Sequence, residues 1–206
     1  MLAAFAEAAA ALNWEGGDLE RARLYRQVAE ENAHFLLRHL RSGTGRLFHT
    51  WKAPEDARDD GTAEESPSGQ SPGTARINGF LEDYANLAEG LLALYQATFD
   101  PRWYQAARDL VDTSIALFWV AGEGFYDTAA DAERLIARPR DLSDNATPSG
   151  NGMMATVLLR LSGLSMVHRY AEVAYENLAA VQAFLQDTPG LWPTVHSSGD
   201  LSSTIL

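Results

Sequence analysis

Apolar residues recur at helical spacing in six successive segments of this chain, separated by polar or glycine-rich connections. Met1 to Trp14 carries Leu2, Phe5, Ala9 and Leu12 with no capping residue ahead of them, so this helix reads as cut. Asp18 is placed to cap a long second helix whose apolar stripe is Ala22, Tyr25, Ala29, Ala33, Leu36 and Leu40. Ser42-Gly43-Thr44-Gly45 stops it, and Arg46 to Trp51, aromatic and β-branched, predicts a short strand or extended piece. A third helix is expected from Asn78 or Gly79. It has two apolar rows, Phe80, Tyr84, Leu87, Leu91 and Tyr95 beside Leu81, Ala85, Ala88 and Leu92, and a helix apolar on two sides is a central one.

Asp100-Pro101, a cap followed by proline at the first helical position, opens a fourth helix through Trp103, Ala107, Leu110, Ser114 and Leu117. Gly124-Phe125-Tyr126-Asp127-Thr128 echoes the earlier extended piece. Thr147-Pro148 repeats the cap-proline device for a fifth helix through Met153, Val157 and Leu161. A sixth carries Tyr170, Ala174, Leu178, Val181 and Leu185 and ends before Pro189-Gly190. Helix pair, extended piece, helix pair, extended piece, helix pair is an all-α array of αα-hairpins in one domain spanning 1–206. Stacked hairpins bury their core through their neighbours, so such an array closes into a ring or carries polar terminal caps. Neither cap is evident; one reading, a truncated product with no independent function, follows from these uncapped ends and predicts exposed apolar helix faces and self-association.

Composition narrows the chemistry. The 206 residues hold 16 Lys plus Arg against 28 Asp plus Glu, a net charge of −12, which argues against nucleic acid as a partner. No stretch is apolar for long enough to predict a membrane span, and no basic region precedes an apolar one at the start, so a cytoplasmic chain is expected. The absence of cysteine removes thiolate metal sites, thiol nucleophiles and disulfides. Lys52 is the sole lysine, so Schiff-base chemistry has one possible carrier. No metal-ligand spacing, GxGxxG or P-loop pattern is present, so neither a metal nor another cofactor is expected. Residues 54–73, with three Pro, three Gly, six acids and one Arg, read as a mobile acidic loop.

Four motifs stand in a specific order: Gly79-Phe80-Leu81-Glu82-Asp83-Tyr84-Ala85, Ala97-Thr98-Phe99-Asp100-Pro101-Arg102-Trp103, Gly124-Phe125-Tyr126-Asp127-Thr128 and Asp144-Asn145-Ala146-Thr147-Pro148-Ser149-Gly150-Asn151. Together they resemble the C-terminal helical region of the thioredoxin-domain-containing proteins related to spermatogenesis-associated protein 20, over nearly all of the chain from Leu2 to about Leu185. The resemblance implies an (α/α)6 toroid of the six-hairpin glycosidase type, similar to N-acylglucosamine 2-epimerases, of which three hairpins make about half. It also implies a thioredoxin-like domain as partner in full-length relatives. The cysteine pair of that domain is not in this sequence, and residues 54–73 read as an insertion, so the chain is expected to be an internal piece.

In toroids of this type the site lies at the N-terminal ends of the inner helices, where free N–H groups and positive dipole ends converge. With helices three and five as inner ones, Arg76, Asn78, Glu82 and Asp83 would face the same funnel as Asp141, Asp144, Asn145, Ser149 and Asn151. His49, Trp51, Tyr126 and Asp127 would add ring-stacking and hydrogen-bonding groups for a sugar. Glu82 and Asp83 lie about 100° apart around a helix, so at most one faces a ligand. Asp83 with Asp144 could meet the roughly 5–9.5 Å separation of an acid/base carboxylate pair, while the alternative for Glu82 and Asp83 is a helix-dipole role worth about 0.3–1 kcal/mol each. His49 could remove a proton next to a carbonyl, or be the outward residue of an alternating strand. Gly150 and Gly152 cost about 1 kcal/mol each in a first turn, to be repaid by close approach of a ligand or of a neighbouring helix.

The expectation is therefore a carbohydrate-related domain that binds a sugar-like polar ligand, with epimerase/isomerase-like or hydrolase-like chemistry. Asp83, Glu82, Asp144 and His49 are its candidate catalytic groups, with Arg76, Asn78, Trp51, Tyr126, Asp141, Asn145, Ser149 and Asn151 as binding residues. The competing expectation is a non-catalytic helical scaffold or binding module of a thioredoxin-domain protein.

Overall fold

The computed structural model describes residues 1–14, 16–53, 73–132, 138–140, 142 and 148–187. Its helices are α1 (Leu2–Leu12), α2 (Leu19–His39), α3 (Leu81–Thr98), α4 (Pro101–Phe118), α5 (Gly150–Ser165) and α6 (His168–Asp187). Two small antiparallel ladders interrupt them, β1 (Phe48–Lys52) with β2 (Thr74–Asn78) and β3 (Trp119–Val120) with β4 (Gly124–Phe125). Among the described residues no helix is long and apolar enough to cross a membrane.

The helices pair as α1–α2, α3–α4 and α5–α6, and α3 also packs against α1 on one side and α5 on the other. This is the hairpin array that the repeat predicts, with α1, α3 and α5 as one row. Alanine and glycine set the spacing within it. Ala6, Ala9, Ala22, Ala29 and Ala33 are buried between α1 and its neighbours, and a Cβ on Gly90 of α3 would lie 2.7 Å from Leu2 Cδ2. Helix α3 buries both of its apolar rows, from Leu81 and Tyr84 to Leu92 and Leu94.

The two tight hairpins share one device. Phe99 (φ 55°) and Met166 (φ 59°) end α3 and α5 in the left-handed conformation, and their N–H groups donate back to Tyr95 O and Ser162 O. Phe99 is exposed there, with its ring edge-on to Tyr95 at 6.3 Å between centroids.

Several local expectations change. Helix α3 begins at Leu81, not at Asn78 or Gly79, because residues 74–78 pair with β1. The N-cap of α5 is Ser149, whose side chain accepts the Gly152 N–H at 3.2 Å, so Thr147-Pro148 is not the capping pair. In α6 the buried face runs through Tyr170, Val173, Ala174 and Asn177, which turns Leu178 outward. Asn177 is tolerated in that core because its Oδ1 accepts the Phe125 N–H at 3.2 Å and its Nδ2 donates to the Asn151 carbonyl at 3.3 Å. The acidic stretch 54–73, apart from Gly73, lies outside the described residues.

Candidate functional site

Leu47 fixes the approach to the site. Its N–H donates to the Tyr84 hydroxyl at 2.8 Å and its carbonyl accepts the Gly79 N–H at 2.8 Å, which ties the start of β1 to the residues leading into α3. A Cβ on Gly79 would lie 3.1 Å from the Leu47 carbonyl oxygen, so this close crossing depends on glycine. Tyr84 is buried, and that burial pushes its phenol above the usual tyrosine range; the Leu47 hydrogen bond and Arg46 oppose the rise.

Two residues beyond Leu47, the His49 imidazole meets Asp83 in the first turn of α3, with Nδ1 2.9 Å and 3.1 Å from the two carboxylate oxygens. Asp83 Oδ2 also accepts the Phe80 N–H at 2.8 Å, so one carboxylate both caps α3 and orients the ring. The Phe80 ring stands edge-on to the imidazole, 5.1 Å between centroids. A carboxylate only accepts, so Nδ1 is the donor in this contact.

The pair edges a cavity of about 320 Å³ between α1, α2, β1 and α3. His49, Asp83, Asn32 and Asn86 supply its polar groups, and leucines with Phe48 supply the walls. Leu2 in the first turn of α1 and Asp83 in that of α3 place it at the N-terminal ends of these two helices.

The remaining candidates sit elsewhere. The side chain of Glu82 is exposed, while its backbone runs against α5: a Cβ on Gly150 would come 3.2 Å from Glu82 N. The close approach at Gly150 is thus to a neighbouring helix. Arg76 and Asn78 are exposed on β2, opposite Thr50 and Phe48. Trp51 packs edge-on against Phe35, 5.1 Å between centroids, beside His39 and under Gly73. Tyr126 has Arg138 over its ring at 4.3 Å, Arg140 beside it, and its hydroxyl on Glu123. The Asp127 carbonyl accepts the Leu81 N–H at 3.0 Å at the start of α3. Ser149 caps α5, and Asn151 is buried with neither side-chain amide atom hydrogen-bonded. Asp141, Asp144 and Asn145 lie outside the described residues.

Of the sequence candidates, the structure brings His49 and Asp83 into contact. It adds Asn32 and Asn86, which no motif marks; Asn86 follows Asp83 by three positions, one helical turn along the same side. Among the described residues no group of three or more His, Asp or Glu side chains could hold a metal ion.

No family model matches the chain. It is similar to a segment of spermatogenesis-associated protein 20. The protein of that name from Homo sapiens is 38% identical over 141 residues, 66% of this chain and 16% of the relative. Its counterpart from Rattus norvegicus is 38% identical over 140 residues, with the same coverage of both chains. The Mus musculus protein is 37% identical over 164 residues, 78% of this chain and 18% of the relative. The chain therefore spans about a sixth of the length of the spermatogenesis-associated protein 20 relatives that it matches. Their name specifies no ligand and no reaction.

Proposed function

We propose that this chain binds a sugar-like polar ligand at the N-terminal ends of α1 and α3, with the His49–Asp83 pair as its acid/base group. One observation carries the reading: the 2.9 Å contact between His49 Nδ1 and the Asp83 carboxylate at the edge of a 320 Å³ cavity. Asp83 holds the ring and stabilises the imidazolium that forms when Nε2 takes a proton, the division of labour in any carboxylate-oriented histidine base. Such a base suits proton removal next to a carbonyl, as an epimerase or isomerase requires. A hydrolase-like reaction would draw its second carboxylate from Asp144. The resemblance to half of an (α/α)6 toroid supports the same end of the inner helices as the site.

A thermal melt of the chain against a panel of mono- and oligosaccharides tests this, with Asp83→Asn and His49→Gln alongside. A ligand that binds only the folded state must raise the melting temperature, so one sugar class should stabilise the parent and neither variant. A cooperative melt indifferent to every sugar would replace this reading with the second, a non-catalytic helical module that serves a thioredoxin-like domain. The observation favouring that second reading is the Phe80 N–H to Asp83 bond, which gives the carboxylate a purely structural task.

A further inference from the structure

We infer that the ligand of this cavity is amphiphilic: a hydroxylated ring that carries an alkyl or aryl substituent, rather than a bare sugar. The inference rests on the reading of His49 and Asp83 as a polar-ligand site and concerns what lies next to them. Three polar side chains come from β1 and the start of α3: His49 and Asp83, which are in contact, and Asn86 one turn further along. Asn32 of α2 adds a fourth polar side chain and Met1 closes the N-terminal side, but the larger part of the lining is hydrocarbon, from Leu2, Leu36, Leu40, Leu47, Phe48 and Leu87. Leu2, Leu47 and Leu87 are 6%, 3% and 8% exposed, so this wall belongs to the packed core and is held in place by it.

A hexose presents a hydroxyl on nearly every carbon. Seated here it would turn several of them toward leucine, where no protein group pairs with them and water is partly displaced. A ligand with one polar end has no such conflict. Its hydroxyls reach His49, Asp83 and Asn86, and its hydrocarbon covers Leu36 in the last turn of α2 and Leu40 at its C-cap, both half-buried. At about 320 Å³ the cavity lies at the small end of ligand pockets, roughly 300–1,000 Å³, enough for a ring and a short chain and too little for a long lipid tail. Each methylene fully buried is worth about fourfold in affinity, so a chain of a few carbons should dominate the selectivity.

The test is calorimetric titration of the chain with methyl, butyl and hexyl glycosides of glucose, mannose and galactose, and with 1-hexanol as the headless control. At least one sugar head should bind, and its hexyl form should bind about tenfold or more tighter than its methyl form. Leu36→Gln should reduce the ratio of hexyl to methyl affinity, while Asp83→Asn should weaken every member that carries the head. Equal affinity for methyl and hexyl forms would overturn the amphiphile and leave the polar-ligand reading standing. Hexanol binding as tightly as hexyl glycoside would also overturn it, since the head would then contribute nothing. Binding by no glycoside at all would overturn both.

Discussion

The hydroxyl of Tyr84 lies 2.8 Å from the amide nitrogen of Leu47 and accepts its proton, joining the central helix to the strand that carries His49. Both residues are nearly inaccessible, at 1% and 3% exposure. Tyr84→Phe would leave the Leu47 N–H buried without a partner, at about 1–3 kcal/mol. Burial raises the Tyr84 phenol above the ordinary tyrosine value of about 10, which the unfolded chain retains. Native Tyr84 thus keeps its proton where the unfolded chain has lost it, so stability is complete below about pH 10 and falls as pH rises through the folded value. Tyr170, also raised chiefly by burial, works in the same direction. Urea unfolding on both sides of pH 10 should show a decline that is smaller in Tyr84→Phe.

Adjacent acids at the start of α3 should respond differently to removal. Asp83 caps Phe80 and holds His49, so Asp83→Ala should cost about 1–2 kcal/mol. Glu82 is exposed and helps only through the dipole, so Glu82→Ala should cost no more than about 0.3–1 kcal/mol. Raising the salt concentration during denaturant unfolding separates them: the Glu82 effect should fade and most of the Asp83 effect should remain.

Glycine has opposite meanings at two helical positions. A Cβ on Gly90 would press on Leu2 at 2.7–3.0 Å, whereas one on Gly163 would meet nothing within 4 Å. Alanine in either helix gains about 1 kcal/mol in propensity, but overpacking at position 90 costs about 1–3 kcal/mol. Gly163→Ala should therefore raise the melting temperature and Gly90→Ala should lower it.

Arg160 of α5 pairs with Glu89 of α3 and donates to Gln96 at 2.5 Å, with Glu89 Oε2 buried and lacking a hydrogen bond. Arg160→Met keeps the aliphatic stem but strands the carboxylate, at about 1–3 kcal/mol. Adding Glu89→Gln should recover part of that loss. A coupling of at least about 0.5 kcal/mol in the double-mutant cycle is the expected result.

Features encoded within a few residues were legible in the sequence. Asp18 and Asp100 cap α2 and α4 as their positions indicate, and the two apolar rows of α3 mark it as the central helix. The strand Thr74–Asn78 was not legible, because it is exposed at all but one position and is held by backbone pairing, which leaves no alternation of apolar and polar side chains. Asn177 broke the apolar period of α6 for a tertiary reason, its bonds to Phe125 and Asn151. His49 and Asp83 were each recognisable as reactive types, but they are separated by 34 positions and no spacing rule joins them. Their contact follows from the Leu47 crossing. Asn32 and Asn86 gave no signal, since an asparagine on a helix surface is ordinary until a cavity opens beside it.

The β1–β2 ladder closes with Lys52 opposite Thr74, three residues beyond His49. The loop-closure cost of the 53–73 connection arises there, and it changes by only about 0.6 kcal/mol for each halving or doubling of length. The position of His49 against α3 is therefore set by the Lys52–Thr74 end of the ladder and by the Leu47 crossing, and is insulated from the length of chain joined beyond them.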